Sequence, residues 1–137
     1  MAFRNPSDDM IRDILAQTRR IAVVGCSPNP TRDSHRIARW LIDKGHDVVL
    51  VSPRAQDVLD RFCYPSLRDV PGPIEMVDVF RRSEHVAEIV EQAIEKGAKI
   101  FWTQLGIGDE RAAARAQAAG ITVVMERCPA IEYGRLF

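Results

Sequence analysis

The sequence predicts an α/β fold, a single domain over residues 1–137 in which a mainly parallel sheet of about five strands carries helices on both faces. Three observations predict it. Apolar runs alternate with amphipathic stretches along the chain. The runs are continuously rich in Val and Ile, as in "RIAVVG" (20–25), "DVVLVS" (47–52) and "ITVVM" (121–125). Strands of that kind are covered on both faces, which is the pattern of a parallel sheet joined by right-handed crossovers. The length of 137 residues suits one compact domain and leaves no room for a second, substrate-carrying one. The expected architecture is Rossmann-like and doubly wound.

Each element has its own signal. Ser7 opens a first helix, with Asp8 and Asp9 in the first turn, where the helix dipole favours acids, and Met10, Ile11, Ile14 and Leu15 as its apolar stripe. The strand at 20–25 follows. Ser34 is placed to cap a second helix, "HRIARWLIDK", which Gly45 ends, and the strand at 47–52 comes next. Residues 53–73 read as loop and short elements. "IEMVDVF" (74–80) is the next strand. Ser83 is placed to cap a helix whose apolar positions Val86, Ile89, Val90, Ala93 and Ile94 keep helical spacing up to Gly97. "KIFWT" (99–103) is a strand, Asp109 caps "ERAAARAQAA", Gly120 ends it, and "ITVVM" precedes a short tail.

Composition excludes several classes. There are 19 basic and 19 acidic residues, so the formal net charge is zero. A general nucleic-acid or membrane-surface binder needs a basic excess, so neither partner is expected. The three cysteines, Cys26, Cys63 and Cys128, are far apart and form no CxxC pair, which indicates neither a disulfide framework nor a metal site. The first residues carry acids and no apolar core of a signal peptide, and no run approaches the ~20 apolar residues of a membrane span. A reducing cytoplasm is the expected location. Exposed edge strands in such a fold often pair, which admits a homodimer.

The loop after the first strand, "GCSPNPTRDS" (25–34), occupies the usual ligand position of this architecture, where a helix N-terminus offers free N–H groups to phosphate. It is not a dinucleotide fingerprint, because Ser27 and Pro30 stand where the second and third glycines belong. It is not a Walker loop, since no Gly-Lys pair occurs. At the end of the second strand an NAD site carries an acid for the ribose hydroxyl. This chain has Pro53 and Arg54 instead, which suit an extra phosphate on the ribose. Arg32 in the first loop and "FRR" (80–82) at the next strand exit add further guanidinium groups, and their planar fork matches phosphate. A nucleotide with several phosphates is expected, and NADP and coenzyme A both fit.

Seven segments, "VVGCSPNPTRDS", "VSPR", "CYPSL", "VDVFR", "WTQLGI", "AGITVVMERCP" and "IEY", resemble in order the stand-alone CoA-binding domain proteins. Those proteins are similar to the nucleotide-binding domain that opens the α subunit of succinyl-CoA synthetase. The resemblance runs from about residue 15 to the end. It implies a domain that binds CoA or an acyl-CoA, with no catalytic machinery of its own. It implies that Gly25, Cys26, Ser27, Arg32 and Ser34 cradle the phosphates. By the same resemblance Pro53 and Arg54 line the 3′-phosphate end of the adenosine, and Phe80 and Arg81 flank the nucleotide. Trp102, Thr103 and Gln104 match the strand exit that faces the CoA tail, and Cys128-Pro129 matches a Cys-Pro near the synthetase reaction centre. Two departures stand out. Ser52 replaces the asparagine of the second-strand motif, and no glycine precedes "CYPSL". The synthetase's second domain, with its phosphorylated histidine, is absent, so the ligase reaction does not carry over.

Other chemistry has few candidates. His35, beside the loop, is placed to meet a phosphate, whereas His46 and His85 read as solvated. Cys26 lies near a helix N-terminus and arginines, which lower a thiol pKa, and a thiol sensor using Cys26 or Cys128 is one alternative. An NADP-binding oxidoreductase fragment is another. Glu126 and Glu132 read as ion-pair partners for arginines.

Overall fold

The computed structural model describes residues 3–54 and 57–137; Ala55 and Gln56, in the loop whose course the departures concern, lie outside them. In chain order the elements are α1 (Asp8–Gln17), β1 (Arg20–Val24), α2 (Asp33–Asp43) and β2 (Asp47–Val51), then a hairpin of β3 (Asp57–Val58) and β4 (Arg61–Tyr64). There follow β5 (Met76–Val79), α3 (Val86–Glu95), β6 (Ile100–Thr103), α4 (Glu110–Ala118), β7 (Thr122–Val124) and α5 (Pro129–Leu136). The strands form one sheet in the order β3-β4-β2-β1-β5-β6-β7. Among the described residues only the β3–β4 pair is antiparallel. The α/β fold with its mainly parallel sheet is thus as expected, with seven strands among the described residues instead of about five.

The two extra strands are β3 and β4. They join through Leu59 and Asp60, both in the left-handed region with φ of 53° and 57°, the conformation of a two-residue hairpin turn. The tail after β7 is also more than a tail, because Pro129 begins an eight-residue helix, α5.

Side chains alternate across each strand and build two cores. Ala22, Val24, Val77, Val79 and Phe101 face α3 and α4, where they meet Val86, Ile89, Val90, Ala93, Ala112 and Ala116. Ile21, Val23, Met76 and Trp102 face the other way, onto Ile11 and Leu15 of α1, Leu41 of α2, and Tyr133 of α5. Period-two alternation with both faces apolar is why the sequence shows unbroken Val/Ile runs.

Helix ends follow local chemistry. Ser7 Oγ accepts from Met10 N and Asp109 Oδ1 from Ala112 N, so both expected N-caps form. At the far end of α2, Gly45 takes a φ of +95°; its N–H reaches Ile42 O and the next N–H, from His46, reaches Leu41 O. That pair of bonds satisfies orphan carbonyls that a β-carbon would make costly to reach. Ser34 and Ser83 do not cap. Helix α2 begins one residue before Ser34, and Ser83 opens a single 3₁₀ turn (Ser83–His85) ahead of α3. Each hydroxyl is used elsewhere: Ser34 Oγ accepts from Ser27 N and Ser83 Oγ from Gly108 N. Both serines therefore tie strand-exit loops together.

One residue conflicts with its layer. Asp78 lies at the centre of β5 between Val23 of β1 and Trp102 of β6, with no exposed surface. Neither carboxyl oxygen has a hydrogen-bond partner among the described residues, and burial pushes its pKa well above the usual carboxylate range. The unfolded chain releases this proton at ordinary carboxylate pH while the folded protein holds it. Stability therefore declines as pH rises above the unfolded pKa, until the folded pKa is reached. Asp78→Asn, which has no proton to lose, is expected to unfold at a higher temperature than the parent, with a gap that widens from pH 4 to pH 9 in thermal scans. A constant gap would show that Asp78 does not carry the pH dependence.

Candidate functional site

Order reverses between β1 and β5. The chain passes from β1 to β2 on one side and then returns to β5 on the other. A crevice opens at such a reversal, above the carboxyl ends of the strands. Gly25 leaves β1 there with a φ of +92°, and its N–H donates to Val51 O of β2 at 2.8 Å. A β-carbon at Gly25 would stand 3.1 Å from Arg81 Cγ and 3.2 Å from Arg81 N. The residue must be glycine on both counts, backbone conformation and close approach.

The loop from Gly25 to α2 is held by its own polar groups. Ser27 N donates to Ser34 Oγ at 2.9 Å, Asn29 N to Ser27 Oγ, and Thr31 N to Asn29 Oδ1. His35 Nδ1 lies 3.0 Å from Ser27 O. A carbonyl only accepts, so Nδ1 carries the proton and His35 is an internal brace of the loop. No side chain caps α2 among the described residues, and its N-cap is Arg32. The first N–H groups of α2 thus have no capping side chain and point out of the helix end, which is the arrangement that favours an anion.

Two clefts meet on this loop. One, of about 550 Å³, is lined by Ser52, Pro53, Arg54, Arg81 and His85. The other, of about 640 Å³, runs past Ser34 and Ile37 to Gln104, Leu105, Cys128 and Ile131. Gly25, Ser27, Arg32, Phe80 and Arg82 line both, so the two form the halves of one groove across the sheet end. Arg54 and Arg32 are exposed, and Arg81 is half-buried. Arg36 pairs with Asp33 at the margin of the second cleft.

Of the residues singled out from the sequence, Gly25, Cys26, Ser27, Arg32, Ser34, Pro53, Arg54, Phe80, Arg81, Arg82, Gln104 and Cys128 line this groove. Trp102 and Thr103 do not. Trp102 is fully buried, and its Nε1–H donates to Arg127 O at 2.8 Å. Thr103 Oγ1 donates to Ile107 O and accepts from Glu126 N. Both fix the loops at 104–108 and 125–128, so they shape the wall from behind.

Cys26 does not have the lowered thiol pKa that the thiol-sensor alternative needs. Cys26 is 1% exposed, and burial pushes its thiol up to about 12, away from the reactive range. The arginines lie on the open side of the loop and the sulfur faces the core beside Ala38 and Cys63. Cys63 is core as well, and Cys128 is buried but lines the groove. All three thiols are free. His46 and His85 are half-buried, not solvated: His46 Nδ1 is 2.9 Å from Thr18 O and His85 Nδ1 is 3.1 Å from Glu88 Oε1. Glu132 is an ion-pair partner as expected. It is 3% exposed, and hydrogen bonds from Arg135 and then Arg127 hold its carboxyl below the usual range. Glu126 is exposed and has a φ of 59°.

Arg82, part of the expected 80–82 run, reaches both clefts. Other groove residues carried no sequence signal. Ile131 belongs to α5, which reads as a tail. Arg36 and Ile37 follow from the second helix once its exposed face is known to flank the groove.

A CoA binding domain model matches residues 19–134. The chain belongs to the CoA-binding domain family. Within the family it is 38% identical over 126 residues to the uncharacterized protein YneT of Bacillus subtilis, covering 92% of this chain and 93% of that one. A hypothetical protein from Pyrococcus horikoshii superposes with a TM-score of 0.93 at 41% identity, over 99% of this chain and 98% of that one. The dinucleotide-forming acetyl-coenzyme A synthetase 1 of Ca. Korarchaeum cryptofilum, in complex with phosphate and ADP, superposes over 86% of this chain with a TM-score of 0.73 and 25% identity. Only 27% of that synthetase is covered, so this chain corresponds to one part of it. No helix among the described residues is long and apolar enough to cross a membrane.

Two outcomes test the site geometry. Gly25→Ala forces a left-handed backbone on a residue with a β-carbon and is expected to cost about 2 kcal/mol in urea unfolding; an unchanged midpoint would show that the turn can rearrange. Iodoacetamide at pH 8 is expected to leave Cys26 unlabelled in the native protein and to label it once urea unfolds the chain, as read by peptide mass spectrometry.

Proposed function

We propose that the chain binds coenzyme A, or an acyl-CoA, along the groove, as a binding module without a reaction of its own. The observation that carries this reading is the two-ended groove on one loop. Arginines gather at the β2 and β5 exits, an uncapped helix N-terminus lies in the middle, and apolar side chains line the β6 exit. CoA has the matching sequence of parts: a 3′-phosphorylated adenosine, a diphosphate and a long, mostly uncharged arm. In this reading Pro53 and Arg54 meet the adenosine and its 3′-phosphate. Gly25, Ser27, Ser34 and Arg32 surround the diphosphate, with Cys26 giving only its backbone. Phe80 and Arg81 flank the nucleotide, joined by Arg82. The arm passes Gln104 towards Cys128.

A dinucleotide is less well served. NAD in particular would want an acid at the β2 exit to accept from its ribose hydroxyls, where this chain presents Arg54. Two candidate acid–base groups are already engaged, Glu132 by two arginines and His35 by the loop. The three free thiols suit a reducing, cytoplasmic setting.

Native mass spectrometry and calorimetric titration with CoA, dephospho-CoA, NADP and NAD test the reading. CoA is expected to bind, and both Arg54→Glu and removal of the 3′-phosphate are expected to weaken binding at least about tenfold, the worth of a charge-assisted contact. Equal affinity in Arg54→Glu would overturn the placement of the adenosine. Binding of NADP without CoA would overturn the ligand.

A further inference from the structure

The β6 end of the groove is built differently from the rest. Leu105, just beyond β6, is 58% exposed, and Ile131, in the first turn of α5, is 57% exposed. Both line the same cleft, together with half-buried Ile37 and Ile107. Five large apolar side chains are exposed among the described residues, and two of them stand at this one opening. A lone exposed leucine needs no explanation, but apolar side chains gathered on a concave site point to an apolar ligand group.

Gln104 marks where a polar arm gives way to that apolar end. Its side chain is 6% exposed, lines the cleft, and leaves Oε1 without a donor among the described residues. A buried amide oxygen left unpaired is costly, and a ligand N–H removes the cost. The CoA arm carries two amide N–H groups and ends in a thiol. A bare thiol leaves Leu105 and Ile131 in water, whereas an acyl chain on the same sulfur covers them.

Resting on the CoA reading above, we propose that the preferred ligand is an acyl-CoA with an unbranched apolar acyl group, whose chain lies between Leu105 and Ile131 while Gln104 accepts from an amide of the arm. The groove thus distinguishes thioesters by chain length at one end and recognises the nucleotide at the other.

Calorimetric titration of the full chain with CoA, acetyl-CoA, butyryl-CoA and hexanoyl-CoA tests this. Affinity is expected to climb up to about fourfold with each methylene added, the worth of burying one CH₂. Leu105→Asp and Ile131→Asp, at exposed positions and checked for folding by circular dichroism, are expected to flatten that slope. Gln104→Leu is expected to weaken every member of the series by a similar factor, leaving the slope in place. A flat series with CoA itself bound, and with Arg54→Glu still weakening it, would overturn the acyl proposal and leave the CoA reading intact. A slope unmoved by both Asp variants would place the acyl chain elsewhere and overturn it too. If either Asp variant instead converts a dimer to monomer in sedimentation while the series is flat, the apolar pair is a subunit interface and the proposal falls. Failure of every member to bind would overturn both readings together.

Discussion

The site depends on a single steric constraint, the absence of a side chain at Gly25. With φ at +92°, the chain turns sharply out of β1, and its backbone approaches Phe80 and Arg81 to near the contact limit. That approach brings the exits of β1 and β5 together at the place where strand order reverses. Arg81 and Arg82 are thereby set beside the loop that carries Arg32, and Gly25 N is anchored to the end of β2, two residues before Pro53. Guanidinium groups from three strand exits converge only because the backbone can be this close.

The opposite wall is fixed by part-buried bonds made from behind it. Trp102 holds Arg127 through its indole N–H, and Thr103 bridges Ile107 and the N–H of Glu126. Beyond them, Glu132 joins Arg127 to Arg135, and Arg135 reaches Asp8 of α1 at 2.7 Å. Helix α5 is short and contains Gly134, which weakens it on its own. It is held in place by that network and by Tyr133, which packs edge-on against Trp40 of α2. The position of Ile131 and Cys128 in the groove is therefore inherited from contacts on the far side of the helix.

Much of this was legible in the sequence. Helices α1 and α4 have their capping residues, α3 its five-residue apolar stripe, and the parallel strands their unbroken aliphatic runs, all local signals. What was illegible is set by tertiary structure. The β3–β4 hairpin turns through Leu59 and Asp60, without the Asn-Gly or Gly signal that marks such turns. Helix α5 is held by contacts far away in the chain, Arg135 with Asp8 and Tyr133 with Trp40. Ser34 and Ser83 fit the pattern of helix caps, but each hydroxyl was claimed by a loop N–H close in space. Trp102 and Thr103 were chosen by motif, and strand alternation sent one side chain into the core and the other into a loop brace. For Cys26, proximity to arginines in the chain did not mean a shared environment: the thiol is buried, and desolvation, with Cys63 beside it, raises its pKa.

The bond from Ser27 N to Ser34 Oγ has a kinetic consequence. Together with the Asn29 and His35 contacts it closes the loop on itself before anything enters the groove. A loop already in its final shape spends little conformational entropy on capture. In the proposed reading, encounter with CoA is then limited by diffusion and by the pull of the exposed arginines, and the association rate falls as ionic strength rises. Differences between ligands that share the same phosphates should accordingly appear in how long each stays bound, not in how fast it arrives.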